Sequence, residues 1–333
     1  MMVWSSAVTA IRAGLTVMFF LGVLFGPLVA AAQQPGQVYR VARLSASTTP
    51  DHVEAFKQGL REFGWTVNRN VAVEVRDAGG HPERFLPLAK ELVAMKPDVI
   101  VAAGIDAIAA VRQVTTSIPL VMSIGPSNAV ERGWIASLSR PGGNVTGLIA
   151  LLPELSGKRV QLLKEFAPST RILAVVFRPS GDGSALRQVE AAGRSLGVEI
   201  RRVAVKAAGD LEGALPSLTK KSVDALYVEA NATLLDPLHS RIARFAIGER
   251  LPTMGALPSH AEAGFLLSYG PSSIAWTRRS AYFVDRILRG TPPAELPVEQ
   301  PTTFELTVNL KTAKALGLTI PPSLLQRADR LIE

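Results

Sequence analysis

Short runs of Val, Ile and Leu alternate along this chain with longer segments of helical spacing, and the alternation occurs twice. The runs Tyr39–Leu44, Val71–Val75, Asp98–Ala103 and Ile118–Ser123 fall in the first half. Ile172–Phe177, Glu199–Val205, Asp224–Glu229 and Phe265–Ser268 fall in the second. Near-continuous apolar runs read as strands covered on both faces, as in parallel sheets. Between them, Val53, Phe56, Leu60 and Phe63 share one helical face, while Glu54, Lys57, Arg61 and Glu62 point away. Leu88, Leu92 and Met95 form a second stripe, and Val160, Leu163 and Phe166 a third. Strand–helix repetition of this kind predicts an α/β fold of two doubly wound, Rossmann-like lobes with right-handed crossovers.

The two halves match in detail. Each has an opening strand followed at a similar interval by an Asp-headed strand, Asp98-Val-Ile-Val in one and Asp224-Ala-Leu-Tyr in the other. The switch between them is expected near Pro141–Gly147, where glycines permit a sharp change of direction. Late elements complicate a simple two-bead arrangement: an amphipathic helix over Ile274–Leu288, a strand over Phe304–Val308 and a last helix over Thr312–Leu316. If these complete different lobes, the chain crosses between lobes several times and the hinge is a multi-strand one.

The N-terminus predicts the compartment. Arg12 precedes an uncharged apolar stretch, Ala13–Ala32, which ends in Ala30-Ala31-Ala32 before Gln33-Gln34-Pro35-Gly36. A positive start, an apolar middle and an A-x-A ending read as a signal peptide over residues 1–32, cut near Ala32, with a periplasmic product. A permanent anchor is the other reading of such a length. Gly26, Pro27 and the small residues at the end favour cleavage.

Composition narrows the chemistry. The 333 residues carry a formal net charge of +8, which raises nucleic acid as a partner. The basic residues are scattered among acids and form no stripe, so no nucleic-acid partner is expected. With no cysteine, disulfides, thiolate metal sites and a cysteine nucleophile are excluded. No G-x-S-x-G, P-loop or H-E-x-x-H occurs, and His260-Ala261-Glu262 lacks the cysteines a zinc deaminase needs. His52, His81, His239 and His260 lie in loop or helix-start contexts and are read as surface residues or local caps. No enzyme, cofactor or metal site is expected.

Binding chemistry remains. Ligands of open α/β sheets sit beyond the carboxyl ends of the strands. Those positions hold Ser45 and Ser47, then Gly104, Ile105 and Asp106, then Ser123 through Asn128. In the second half they hold Arg178, Ser184, Glu229, Asn231 and Tyr269. For Ser47, Asp106, Ser184 and Asn231, helix capping fits as well as ligand contact. Taken together, two lobes exposing small hydroxyl and amide groups describe a cleft for a small polar molecule.

Several stretches carry a family resemblance. They are Ala55-Phe56-Lys57-Gln58-Gly59-Leu60, Ser137-Leu138-Ser139-Arg140-Pro141-Gly142-Gly143-Asn144, Glu154-Leu155-Ser156-Gly157-Lys158-Arg159, Ser268-Tyr269-Gly270-Pro271 and the tail from Asn309-Leu310-Lys311 to Ile320-Pro321-Pro322. The chain resembles the periplasmic substrate-binding proteins of ABC importers with the type 1 two-lobed fold, in the subfamily of tryptophan/tyrosine-type solute receptors. The resemblance implies residues 38–147 plus 268–292 as lobe 1 and 148–267 plus 293–333 as lobe 2. It implies a monomer that captures a small polar solute of amino-acid type and delivers it to an inner-membrane permease; the departures from the family given below make an organic acid the other candidate. A ligand-sensing subunit for a sensor kinase or chemoreceptor is the alternative that the same fold serves. Ligand contacts are implied for Ser45, Ser47, the Gly104 loop, Asn128 and the loops near Arg178 and Glu229. The chain departs from the family at Ile105, at Ser127-Asn128-Ala129 in place of Gly-Asp-Pro, and at Arg178-Pro179 in place of Asn-Pro. Loss of the acid at Asn128 removes a partner for an amino group. Arg178 either adds a fork for a carboxylate or phosphate, or pairs with Asp182 at the rim.

Overall fold

Apolar runs whose side chains alternate between two buried layers build two mainly parallel sheets. The computed structural model describes residues 38–150, 152–179, 183–231 and 234–333. The predicted signal stretch and Asp182 lie outside the described residues. The first sheet comprises β1 (Tyr39–Ser45), β2 (Val71–Asp77), β3 (Val99–Ala103), β4 (Leu120–Gly125) and β5 (Val145–Ile149), in the order β2-β1-β3-β4-β5. The second comprises β6 (Ile172–Phe177), β7 (Glu199–Ala204), β8 (Ala225–Val228), β9 (Thr253–Gly255), β10 (Leu267–Gly270), β11 (Glu305–Asn309) and β12 (Arg330–Ile332). Its order, β12-β11-β10-β9-β8-β6-β7, contains the first sheet's pattern with β11 and β12 added at one edge. Among the described residues, only β10 and β11 pair antiparallel.

Side chains alternate between the two helix layers, as a pleated strand requires. Ala42, Ile100, Leu120 and Met122 join one buried cluster, while Val41, Val99, Val101 and Val121 join the other. In the second sheet Leu173, Val175, Ala225 and Tyr227 face one layer, and Ala174, Val176, Leu226 and Val228 the other. The Asp-headed strands also play the same part twice. Asp98 Oδ2 accepts the N–H of Arg40 at 2.7 Å, and Asp224 Oδ2 accepts those of Arg171 and Ile172 at 2.8 and 2.9 Å. Each carboxylate thereby fixes the start of the neighbouring opening strand.

The chain crosses between the sheets later than the glycine-rich stretch suggests. β5 is an element the sequence pattern does not announce. It keeps Leu148 and Ile149 in the first sheet, so the crossing follows Ile149 and not Gly147. β10 holds Ser268 through Gly270 in the second sheet, and the return to the first lobe begins at Pro271. The helix Ser273–Leu288 then packs on the helix Pro50–Glu62. A Cβ on Gly59 would overlap the carbonyl oxygen of Arg278, so only glycine admits this approach. Trp65 Nε1 adds a buried hydrogen bond to Asp285 Oδ1 at 2.9 Å. Beyond Pro292, the expected boundary, the chain still runs beside β5. The N–H of Ile149 donates to the carbonyl of Glu299, and Thr146 Oγ1 donates to that of Leu296. Among the described residues, no helix is long and apolar enough to cross a membrane.

Candidate functional site

The carboxyl ends of strands from both sheets line one cleft of about 1070 Å³. From the first lobe come Ser45, Ser47, Gly104, Ile105 and Asn128; from the second come Arg178, Ser184, Glu229 and Asn231. Parallel register accounts for the first set, placing Ser45 beside Asp77 on one side and Ala103 on the other. Gly104, at φ +90°, turns the chain from β3 into the helix Ile105–Val114. Asn231 combines the two alternatives raised by its sequence position: it lines the cleft, and its Oδ1 accepts the N–H of Leu234. Asn128 Oδ1 accepts from Arg132 Nε at 2.9 Å, holding that guanidinium at the cleft and over the Trp134 ring.

Three of the expected contacts sit elsewhere. Ser123 is completely buried within β4 and is absent from the cleft lining. Tyr269 turns its ring towards Phe304 and the second-lobe core, leaving its carbonyl to accept from Arg159 Nε at 2.7 Å. Asp106 is outside the lining and instead pairs with Arg178, Nη1 to Oδ2 at 2.8 Å. That ion pair joins the helix after β3 to the loop after β6, across the two lobes. Arg178 is therefore engaged by an acid 72 positions away in sequence.

Two buried arginines complete the picture, and neither stands out in the sequence as a site residue. Arg159, on the helix Leu152–Phe166, is 1% exposed. It donates to the carbonyls of Tyr269 and Ala256, to Ser156 Oγ and to Tyr227 Oη. It lies four residues before Leu163, on the stripe visible as Val160, Leu163 and Phe166, and that spacing is the signal of its burial. Arg43 lies in β1 and lines the cleft at 2% exposure. Its signal is a charge inside an otherwise apolar strand interior. Trp276 and Thr277 line the cleft from the returning helix.

Electrostatically the floor of the second lobe is unusual. Burial raises the Glu229 carboxyl to about 7, against the opposing pull of the Arg159 charge. Its Oε1 is shut from solvent and meets no donor among the described residues. Two histidines expected as surface residues or local caps are buried: His239 is 3% exposed and His260 fully buried, with ring centroids 3.6 Å apart. Gly255 permits this, since a Cβ there would overlap that of His260. Burial lowers His239 to about 3. Burial, followed by the charges of His239 and Arg159, keeps His260 well below its ordinary value. His260 Nδ1 accepts the N–H of Ala256 at 3.1 Å, which suits the neutral ring.

The arrangement suits capture of a solute; among the described residues no group of acids and histidines could hold a metal ion. Known proteins share this fold. A "Tyrosine-binding protein" of Clostridioides difficile is 23% identical over 270 residues, covering 80% of this chain and 76% of that protein. A conserved domain protein of Vibrio cholerae superposes with a TM-score of 0.78 at 26% identity, covering 88% of this chain and 99% of the other. An ABC domain from Streptococcus pneumonia, solved in complex with L-Trp, superposes with a TM-score of 0.81 at 23% identity, covering 89% and 100%. The family model described as ABC transporter substrate binding protein matches residues 41–332, and this chain belongs to that family.

Proposed function

We propose that the protein is the solute-binding component of an ABC importer, capturing a small amino-acid or organic-acid solute between its lobes and delivering it to an inner-membrane permease. One observation carries the reading: strand ends of both sheets line a single cleft, large enough to enclose a small metabolite. The tyrosine and tryptophan in the names of the relatives support a solute of that size. Residues 1–32 act as a signal peptide removed near Ala32, and the periplasmic product works as a monomer without turnover. Its ligand contacts in lobe 1 are Ser45, Ser47, Gly104, Ile105 and Asn128. Those in lobe 2 are Arg178, Ser184, Glu229 and Asn231.

Closure expels water from the cleft, so each charge-assisted hydrogen bond made there counts for more than in solvent. Micromolar affinity corresponds to about 8 kcal/mol. A thermal-unfolding screen against amino acids, carboxylates, nucleosides and sugars tests the reading. A solute at 100 times its dissociation constant is expected to add about 2.7 kcal/mol of stability. If no compound of any class shifts the transition, the receptor reading fails.

The Arg178–Asp106 pair belongs to the closing motion. Its side chains are 22% and 26% exposed, so it is worth only about 1 kcal/mol, or roughly fivefold in the open–closed equilibrium. Asp106→Asn is expected to raise the radius of gyration of the ligand-free protein in small-angle X-ray scattering. An unchanged scattering curve would remove the pair from the latch.

A further inference from the structure

Arg43 is the exception on its strand. It lies between Val41 and Ser45 in β1, on the sheet face that Val41, Val99, Val101 and Val121 otherwise line with apolar surface. Its Nη1 donates to Thr48 Oγ1 at 3.3 Å, and its Nε meets no acceptor among the described residues. Asp77 favours its charged form from nearby. Among the described residues, though, no hydrogen bond or ion pair joins the two side chains, and the oxygens of Asp77 accept the N–H groups of Thr48 and Gly79. Burial lowers the Arg43 pKa to about 10, which leaves the guanidinium charged at neutral pH. Its charge is also felt at the cleft, where it ranks second to burial in lowering the pKa of His52.

A buried guanidinium with an unused donor destabilises a fold unless a counter-ion completes it. Here the counter-ion has a route in, because Arg43 lines the cleft. Thr277, which also lines the cleft, has a buried hydroxyl with no partner among the described residues. Apolar side chains share the lining, from Ile124 and Trp276 in the first lobe to Phe177 and Leu186 in the second. A guanidinium fork offers two parallel N–H donors, which match a carboxylate better than a carbonyl or an alcohol.

We infer that Arg43 is the receptor for a carboxylate carried by the solute, with the Thr277 hydroxyl as a second donor, so that the ligand class is a carboxylic acid with an apolar body. This deepens the receptor reading above and rests on it. Two sources share that chemistry, aromatic amino acids and acids lacking an amino group.

Calorimetric titration of the wild-type protein separates them. The probes are L-tyrosine, L-tryptophan, 3-(4-hydroxyphenyl)propanoate, benzoate and succinate, each beside its amide, with tyramine, glucose and adenosine as non-acids. At least one carboxylate is expected to bind, and its amide to bind at least 100-fold more weakly. Binding of L-tyrosine without 3-(4-hydroxyphenyl)propanoate identifies the amino acid as the source; the reverse identifies the simple acid. Arg43→Met is expected to weaken the acid at least 100-fold, and Arg43→Lys to restore part of the loss. Ligand-free Arg43→Met should melt at or above the wild-type temperature, because it removes a poorly compensated buried charge; a structural pillar would instead lower the melting point when lost. Equal binding of an acid and its amide, wild-type affinity in Arg43→Met, or binding of non-acids alone overturns the carboxylate receptor while leaving the solute-receptor reading intact. Absence of binding by every probe, with no shift in the wider unfolding screen, overturns both.

Discussion

Replacing Arg159 with methionine is expected to lower the stability of the protein by about 3–5 kcal/mol, measured by urea unfolding at pH 7. Methionine fills much of the same volume, so lost packing contributes little. The loss comes from what the guanidinium leaves behind. The carbonyls of Tyr269 and Ala256 and the hydroxyls of Tyr227 and Ser156 all accept from it in the buried floor of the second lobe. The two hydroxyls keep each other as partners, Tyr227 Oη donating to Ser156 Oγ at 3.2 Å. The stranded acceptors are therefore the two carbonyls, each costing roughly 1–3 kcal/mol, partly relieved by relaxation or entering water. Gly270 belongs to the same device: a Cβ there would lie 3.3 Å from Arg159 Nη2 and would overlap the oxygen of Ala256. Arg159→Lys should recover only part of the stability, because one ammonium cannot reach groups spread around a planar fork. A loss below about 1 kcal/mol for the methionine variant would mean that these acceptors find other donors, and that Arg159 does not hold β8, β9 and β10 together.

Arg43 and Arg159 mark where the sequence stops being legible, because each is a charge placed in an apolar pattern by contacts far along the chain. The doubly wound fold itself is readable. Strands buried on both faces must be apolar throughout, which leaves unmistakable runs such as Val99–Ala103 and Ile172–Phe177. β5 is hidden for a physical reason. Its Gly147 resembles part of a glycine-rich turn, yet it stands mid-strand at φ +120°, where a Cβ would overlap the backbone of Met122. That glycine serves close packing between neighbouring strands and not a change of direction. β9, three residues long, offers too little pattern to detect.

Site residues divide in the same way. Topology alone places strand-end loops at a cleft, so Ser45, Gly104, Asn128, Arg178 and Glu229 can be named from the sequence as lining residues. Partnerships over long sequence separation cannot. Arg178 meets Asp106 because two lobes face each other, and no local spacing records that. His239 and His260 escape the sequence reading because their burial depends on a tilted ring contact between two helix starts and on the missing side chain of Gly255.

Glu229→Gln is expected to stabilise the protein at pH 8 by up to roughly 3 kcal/mol and to leave it nearly unchanged at pH 4. The wild-type carboxyl titrates at about 7 in the fold against an ordinary value of 4.5. Between those values the unfolded chain has shed a proton that the native protein keeps. This group's contribution to stability therefore falls as pH rises from about 4.5 to about 7 and is level above. Glutamine carries no such proton and removes the slope. His239 acts in the opposite sense: its value of about 3 lies below the ordinary 6.5, so its contribution rises with pH across that interval. The two slopes oppose each other between about 4.5 and 6.5, and a wild-type curve alone would look flat there. The difference between wild-type and Glu229→Gln unfolding free energies, measured from pH 4 to pH 8, isolates the carboxyl. A difference that does not change with pH would show that Glu229 titrates normally, with its unpartnered oxygen reached by water. The same proton acts on the cleft: an anionic solute should bind the wild type more tightly at pH 6 than at pH 8, because Glu229 gains charge over that span. Glu229→Gln should flatten that dependence without abolishing binding, whereas a solute held by its ammonium group would respond in the reverse direction.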